Sequence, residues 1–344
     1  MYILRDIAAG DLDGLERVAI HLDSVNLPDD RDALAQVIDR SRRSWSGELP
    51  VAERCFAFVA VDAQSGEVAG TSMIFAQHGS RRAPHVFFDV LEEERYSETL
   101  DRHFAHQVLR IGYNYKGLTE VGGLVVRPEL RRHPEKLGRS LFSARFVFIA
   151  MHRQMFRDEV LSELMPPLES DGTSLLWESL GRKFTGLSYQ DADRMSQTNK
   201  EFIRTLFPQD PLHVTLLPSH VKALIGQVGP DTKGVEKLLH EAGFTYAHRI
   251  DPFDGGPHFH ARTDDISLVR DTRAMRVGAA AGGATRGGAW FLIAREREAP
   301  PYFVSTRVRM AEPDAANPIA ALPSEARRVL DVTDGDPVAV LRLG

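Results

Sequence analysis

One cysteine stands in 344 residues, so no intrachain disulfide can form and no cysteine cluster can hold a metal. Cys55 lies in the apolar run Cys55-Phe56-Ala57-Phe58-Val59-Ala60-Val61 and is expected to be an inert core thiol, not a nucleophile. No apolar run approaches the roughly 20 residues a membrane helix requires. The opening residues, Met1-Tyr2-Ile3-Leu4-Arg5-Asp6-Ile7, lack signal-peptide organisation and read as a strand. Cationic residues are not in excess: 42 Lys and Arg against 48 Asp and Glu leave a net charge of −6, which argues against a general nucleic-acid binder. There are no internal repeats. With 43% hydrophobic and 26% charged residues, the expectation is a cytoplasmic enzyme of two or three domains.

Periodicity orders the N-terminal part as strand, two helices and a hairpin. The helices are expected over 11–22 and 33–45, with Asp11 and Asp32 as N-caps. The hairpin is expected over Cys55–Asp62 and Glu67–Phe75, turning at Ala63-Gln64-Ser65-Gly66. Residues 76–116 read as a long irregular excursion. A strand over 120–126 then feeds a basic loop, a long apolar helix (138–153) and a further strand (160–165). A short helix at 174–181 carries Trp177, which is expected to pack in the core. The stretch 191–243 reads mostly helical, with breaks at Pro208, Pro211 and Pro218. After residue 272 the composition turns Gly/Ala-rich and then strand-like, so a small β-rich domain is expected over 272–344 beside a main domain over 1–271.

Two segments suggest binding. The loop Arg127-Pro128-Glu129-Leu130-Arg131-Arg132-His133-Pro134-Glu135-Lys136-Leu137-Gly138-Arg139-Ser140 opens the long helix. A helix N-terminus offers unpaired N–H groups and partial positive charge, which suits a phosphate. Lys136, Gly138, Arg139 and Ser140 are its candidate contacts, unless it is simply a basic, solvated helix start. The second is Asp251-Pro252-Phe253-Asp254-Gly255-Gly256-Pro257, an acidic turn in which two glycines permit backbone angles closed to other residues. It reads as a shaped loop able to receive a cation.

The chain resembles the arginine N-succinyltransferase family over nearly its whole length. The words that carry the resemblance include Asn26-Leu27-Pro28, Trp45-Ser46-Gly47-Glu48-Leu49-Pro50, Arg145-Phe146-Val147-Phe148-Ile149-Ala150 and Leu176-Trp177-Glu178-Ser179-Leu180-Gly181. Ile225-Gly226-Gln227-Val228, Glu241-Ala242-Gly243-Phe244, the acidic turn and the closing Asp334-Gly335-Asp336-Pro337-Val338 continue it. The resemblance implies an α+β fold: an acyl-CoA N-acyltransferase (GNAT-like) mixed sheet with flanking helices, plus the small C-terminal β-rich domain. It implies transfer of succinyl from succinyl-CoA to the α-amino group of L-arginine, the first step of an arginine-degradation route. It also implies a homo-oligomer, or a heteromer with a related subunit, and no permanently bound cofactor.

The resemblance places the family's succinyl-CoA contact at Leu124, with Val125 and Val126 pairing with the pantetheine arm by backbone. It places the family's proton-donor histidine at Gly229, which has no side chain to move a proton. Glu120, at the start of the cofactor strand, and His213 are the candidate acid–base groups, while His220, His258 and His260 are further histidines in reach by sequence. Asp251 and Asp254 are candidate partners for a guanidinium or ammonium, or structural members of the turn. His258 and His260, two residues apart, invite a metal reading, but without a third placed ligand no metal is expected.

Overall fold

The computed structural model describes residues 1–21, 27, 30–81, 83–196, 199–278, 288–314 and 318–344. Leu22, Asn26, Pro28 and the Gly/Ala-rich 279–287 therefore lie outside the described residues. Fifteen strands occur among the described residues. They are β1 (Tyr2–Asp6), β2 (Cys55–Asp62), β3 (Val68–Phe75), β4 (His85–Ser97), β5 (Arg102–Asn114), β6 (Thr119–Val126), β7 (Glu159–Glu163), β8 (Leu212–His213), β9 (Thr245–Ile250), β10 (Pro257–Arg262), β11 (Arg273–Gly278), β12 (Ala289–Glu296), β13 (Phe303–Met310), β14 (Ile319–Ala321) and β15 (Pro337–Leu343). No helix is long and apolar enough to cross a membrane among the described residues.

The chain folds as two compact units, each drawn from separated segments. The first comprises Met1–Gln77, Thr119–Asp158 and Arg262–Gly344. Its strands run β14-β11-β15-β12-β13-β1-β2-β3-β6, antiparallel except for β11 with β14. β2 and β3 are buried along almost their whole length, which is why neither alternates apolar with charged residues; the polar Thr71 and Ser72 of β3 donate to Phe58 O and Leu141 O. Cys55 is buried in this layer and its thiol is pushed up to about 12 by burial, as befits a core residue. β13 pairs with β1, and Phe303 N–H donates to Asp6 Oδ1 at 2.9 Å. The strands after residue 272 thus continue the N-terminal sheet without a break at that position.

The helix expected from residue 11 runs Leu12–Ala19, and Asp11 does not cap it. Its carboxylate instead accepts from Ala8 N–H and from both terminal nitrogens of Arg5. The second helix runs Arg31–Trp45 and is capped by Asp30, which accepts from Ala33 N–H at 2.8 Å, rather than by Asp32. The long helix, Leu137–Met151, is buried on nearly all sides.

The second unit comprises His78–Leu118 and Glu159–Ala261. Its strands run β7-β10-β9-β4-β5-β8. The 76–116 stretch is not irregular as expected: most of it is a hairpin of two 13-residue strands, β4 and β5, in continuous register from His85↔Asn114 to Ser97↔Arg102. Its outer half is solvated on both faces, so the sequence shows no period-2 alternation to read. Only the inner half is apolar, and Phe88, Leu109 and Ile111 join Trp177, Phe207 and Phe253 in this unit's core. The 191–243 stretch is a chain of short helices, Tyr189–Ser196, Glu201–Leu206, Ser219–Lys222 and Lys233–Ala242, interrupted by turns and by β8.

Candidate active site

In the first unit the basic loop ends at Lys136, which holds a left-handed backbone (φ 47°) and starts the long helix without a side-chain cap. Lys136 N–H donates to His133 O and Ser140 N–H to Lys136 O, so those amides are taken. The N–H groups of 137–139 are the first-turn donors that have no intrahelical acceptor. Gly138 has open space around it, its hypothetical Cβ coming no nearer than 3.9 Å to Val126. Arg307 donates to Pro134 O at 2.9 Å and Arg131 to Val126 O at 3.3 Å, fixing the loop against its sheet. The loop's residues fit a phosphate-bearing substrate: the N-terminus of a long helix, cationic flanks and open space at Gly138.

β6 carries Glu120, Leu124, Val125 and Val126, paired to β3 with a register shift between Thr71 and Met73. Gly123 there has φ 57°, so the strand bulges where the resemblance places the acyl donor. The buried Arg145 side chain donates to Gly122 O at 3.3 Å and to Phe142 O at 3.5 Å, and lies over the Phe142 ring. Burial pushes this guanidinium down to about 9. Glu120 is buried, with 2% of its surface exposed.

In the second unit the acidic turn is built by its own side chains. Asp251 Oδ1 accepts from Phe253 N–H at 2.7 Å, and Asp254 Oδ1 accepts from Gly256 N–H at 2.7 Å. Gly255 takes φ 85°, which an L side chain adopts only with strain, and Gly226 N–H donates to Gly255 O. Phe253 anchors the turn by stacking on fully buried Trp177 at 5.1 Å, and Ser174 Oγ donates to Phe253 O. Trp177 Nε1–H donates to Leu187 O at 3.0 Å, the satisfied core tryptophan the sequence led us to expect.

Both aspartates are half-buried. Burial, then the charge of Glu163, pushes Asp251 up to about 7. Burial and the neighbouring Asp251 also push Asp254 well above the usual carboxylate range. Among the described residues neither forms an ion pair with Lys or Arg. Each accepts backbone hydrogen bonds on one oxygen, and the charge each carries when ionised has no Lys or Arg ion-pair partner among the described residues.

Beside the turn stands a group that sequence reasoning missed. Glu163, at the end of β7, has Oε1 2.9 Å from His85 Nε2 and 3.5 Å from His258 Nε2. The His85 and His258 rings stack at 5.3 Å, and His78 meets His85 edge-on at 4.5 Å. Burial drives His85 down to about 3, so its imidazole is neutral. Burial alone would raise Glu163, but His258 and His85 outweigh it and hold the carboxyl well below its ordinary range. His258 was singled out by sequence, but His78 and His85 fell in the supposed irregular stretch and Glu163 was read only as strand.

His213 is not part of this centre. It pairs with Val108 on β5, whereas His85 pairs with Asn114. Six residues of strand separate those partners, roughly 20 Å at about 3.3 Å per residue. Gly229 N–H donates to Met165 O at 2.8 Å, and a Cβ at 229 would lie 2.6 Å from Pro166 O and 2.9 Å from Met165 O. The backbone at 165–166 occupies the space a side chain needs, so this chain has closed the position as well as vacated it.

The opening strand–helix–helix–hairpin order, the bulged β6 and the basic loop that starts a long helix define an acyl-CoA N-acyltransferase. Comparison gives the family. The sequence model described as arginine N-succinyltransferase beta subunit matches residues 2–268. The arginine N-succinyltransferases of Salmonella arizonae and Salmonella paratyphi B are 31% and 32% identical over 280 residues, each alignment covering 80% of both chains. The solved structure of arginine/ornithine succinyltransferase subunit AI from Pseudomonas aeruginosa superposes with a TM-score of 0.84 at 27% identity, covering 100% of this chain and 99% of that one. The chain belongs to the arginine N-succinyltransferase family and is an acyltransferase.

Proposed function

We propose that this chain transfers succinyl from succinyl-CoA to the α-amino group of L-arginine, giving N2-succinylarginine, as a cytoplasmic step of arginine degradation. The observation that carries the choice of amine is the acidic turn. Asp251 and Asp254 are half-buried carboxyls with no Lys or Arg ion pair among the described residues, and they suit a substrate bearing a guanidinium and an ammonium.

The α-ammonium must lose a proton before it attacks the thioester carbonyl. The tetrahedral oxyanion then collapses, and the carbon–sulfur bond breaks to release the coenzyme thiol. Glu120, buried on β6, is the acceptor we assign to the ammonium proton, reached through water. The main chain of Leu124–Val126 would align the pantetheine arm. The start of the helix, with Lys136, Gly138 and Arg139, would hold the pyrophosphate, whereas Ser140, buried, with its amide donating to Lys136 O and its hydroxyl to Glu135 O at 3.4 Å, would brace the loop rather than bind the phosphate. General acid–base help is worth roughly 10²–10⁴-fold, and positioning of two substrates is worth as much or more. An enzyme without a histidine at 229 therefore retains most of its means.

A second reading, an N-acyltransferase for another amine, is favoured by Gly229, where the family's proton donor is absent. The P. aeruginosa relative carries ornithine as well as arginine in its name, so ornithine belongs in the amine panel. Purified protein with succinyl-CoA and that panel, read by thiol release, decides between them. Arginine as the best substrate supports the proposal, and a different best amine supports the second reading. No thiol release, with succinyl-CoA still bound, would mark a partner subunit without its own chemistry. We infer that the chain works as an oligomer of identical or related subunits, since the family model describes a subunit and so does the similar solved structure.

A further inference from the structure

Nothing in the transfer reaction described above uses the imidazoles around Glu163. His78, His85 and Glu163 each place one ligand atom within 4.8 Å of the other two. They come from three places: the loop before β4, the first residue of β4 and the last residue of β7. The loop is held for this purpose. His78 N–H donates to Leu118 O at 2.8 Å, and Gly79 takes φ 84° where an added Cβ would lie 2.4 Å from Asn114 O, a turn beside which the His78 ring meets His85. The 2.9 Å approach of His85 Nε2 to Glu163 Oε1 lacks hydrogen-bond geometry, and both buried atoms are without a hydrogen-bond partner among the described residues.

We propose that His78, His85 and Glu163 form a binding site for one divalent transition-metal ion of the zinc class. Two imidazoles and a carboxylate are a donor set that suits zinc, and they leave a fourth position open. Ligand atoms about 2.0–2.2 Å from one tetrahedral ion lie roughly 3.4 Å apart, so a group held within 4.8 Å closes onto an ion with side-chain movements on the order of 1 Å. Calcium and magnesium are disfavoured by the nitrogen donors. His258, 3.5 Å from the same Glu163 oxygen, supports the ligating carboxylate from outside. Asp251, which with Glu163 and His258 forms a second such group, brings the further negative charge that a divalent ion would balance. The ion would tie the 78–85 loop to β7 beside the acidic turn.

Titration of the full-length protein with Co²⁺ alone, followed by the visible ligand-field band, tests this independently of acyl transfer. We expect one equivalent per chain, displacement by Zn²⁺, and a higher melting temperature with Zn²⁺. Glu163→Gln and His85→Gln are expected to weaken binding by at least about 100-fold, and His258→Gln by about 10–100-fold. The exposed-surface control His220→Gln should bind as the parent does. His78→Gln, at a half-buried ring, carries the test if the buried His85 variant does not fold. The proposal is overturned if Co²⁺ gives no band and Zn²⁺ leaves melting unchanged, or if Glu163→Gln binds as tightly as the parent.

Discussion

The two candidate binding regions are built on opposite principles. The loop and helix start at 127–140 in the first unit are contiguous in sequence, cationic, and rely on main-chain N–H groups. The centre in the second unit gathers His78, His85, Glu163, Asp251, Asp254 and His258 from four stretches of chain, is acidic, and relies on side chains. A backbone site tolerates substitution, because an amide is present whatever residue carries it. A side-chain site does not. This explains why the missing side chain at 229 bears directly on how the chemistry is done.

The largest expected effect is at the acidic turn. Asp251→Asn keeps the oxygen that accepts from Phe253 N–H but removes the charge. A charge-assisted hydrogen bond is worth about 1.5–3 kcal/mol, so KM for arginine should rise about 10–100-fold while KM for succinyl-CoA stays put. If KM for succinyl-CoA rises as much, the turn does not recognise the amine in particular.

Next is Gly229→His. Restoring the family histidine pushes a Cβ to 2.6 Å from Pro166 O. Overpacking of this kind costs about 1–3 kcal/mol, so the variant should melt lower and gain no rate. A faster, equally stable variant would mean that the 165–166 backbone yields freely.

Burial-driven titration gives a test of intermediate size. The folded pKa of Asp251, about 7, lies above its unfolded value near 3.9, so the folded state holds this proton more tightly. Its contribution to stability is present at low pH and is lost as pH rises from about 4 through 7. Over the same range the turn gains charge, so KM for arginine should fall as pH rises from 6 to 8. Asp251→Asn should flatten both trends, in melting curves and in steady-state kinetics.

The smallest effect belongs to the first unit. Arg139→Ala should raise KM for succinyl-CoA only a few-fold, most visibly at low ionic strength, because the backbone donors remain and a partly exposed charge is screened. A loss as large as that at Asp251 would show that side chains, not amides, hold the phosphate.

What could be read beforehand follows the same division. The hairpin of β2 and β3, the long helix and the acidic turn were legible because their signals are local: continuous apolar runs, a basic helix start, paired glycines. Asp30 and Asp32 were not separable as caps, since both stand near the helix start and only the observed hydrogen bond to Ala33 distinguishes them. The β4–β5 hairpin was illegible because its solvated outer half carries no hydrophobic period, and cross-strand bonds define it instead.

By itself the sequence determined the family, the order of the opening elements and the residues of the two loops, because those depend on neighbours in the chain. Only the tertiary structure decided that His85 and Glu163, 78 positions apart, stand 2.9 Å from each other, and that the backbone at 165–166 fills the space beside Gly229. Distances across strands and the burial that shifts Asp251 and His85 are properties of packing, and packing joins residues without regard to their separation along the chain.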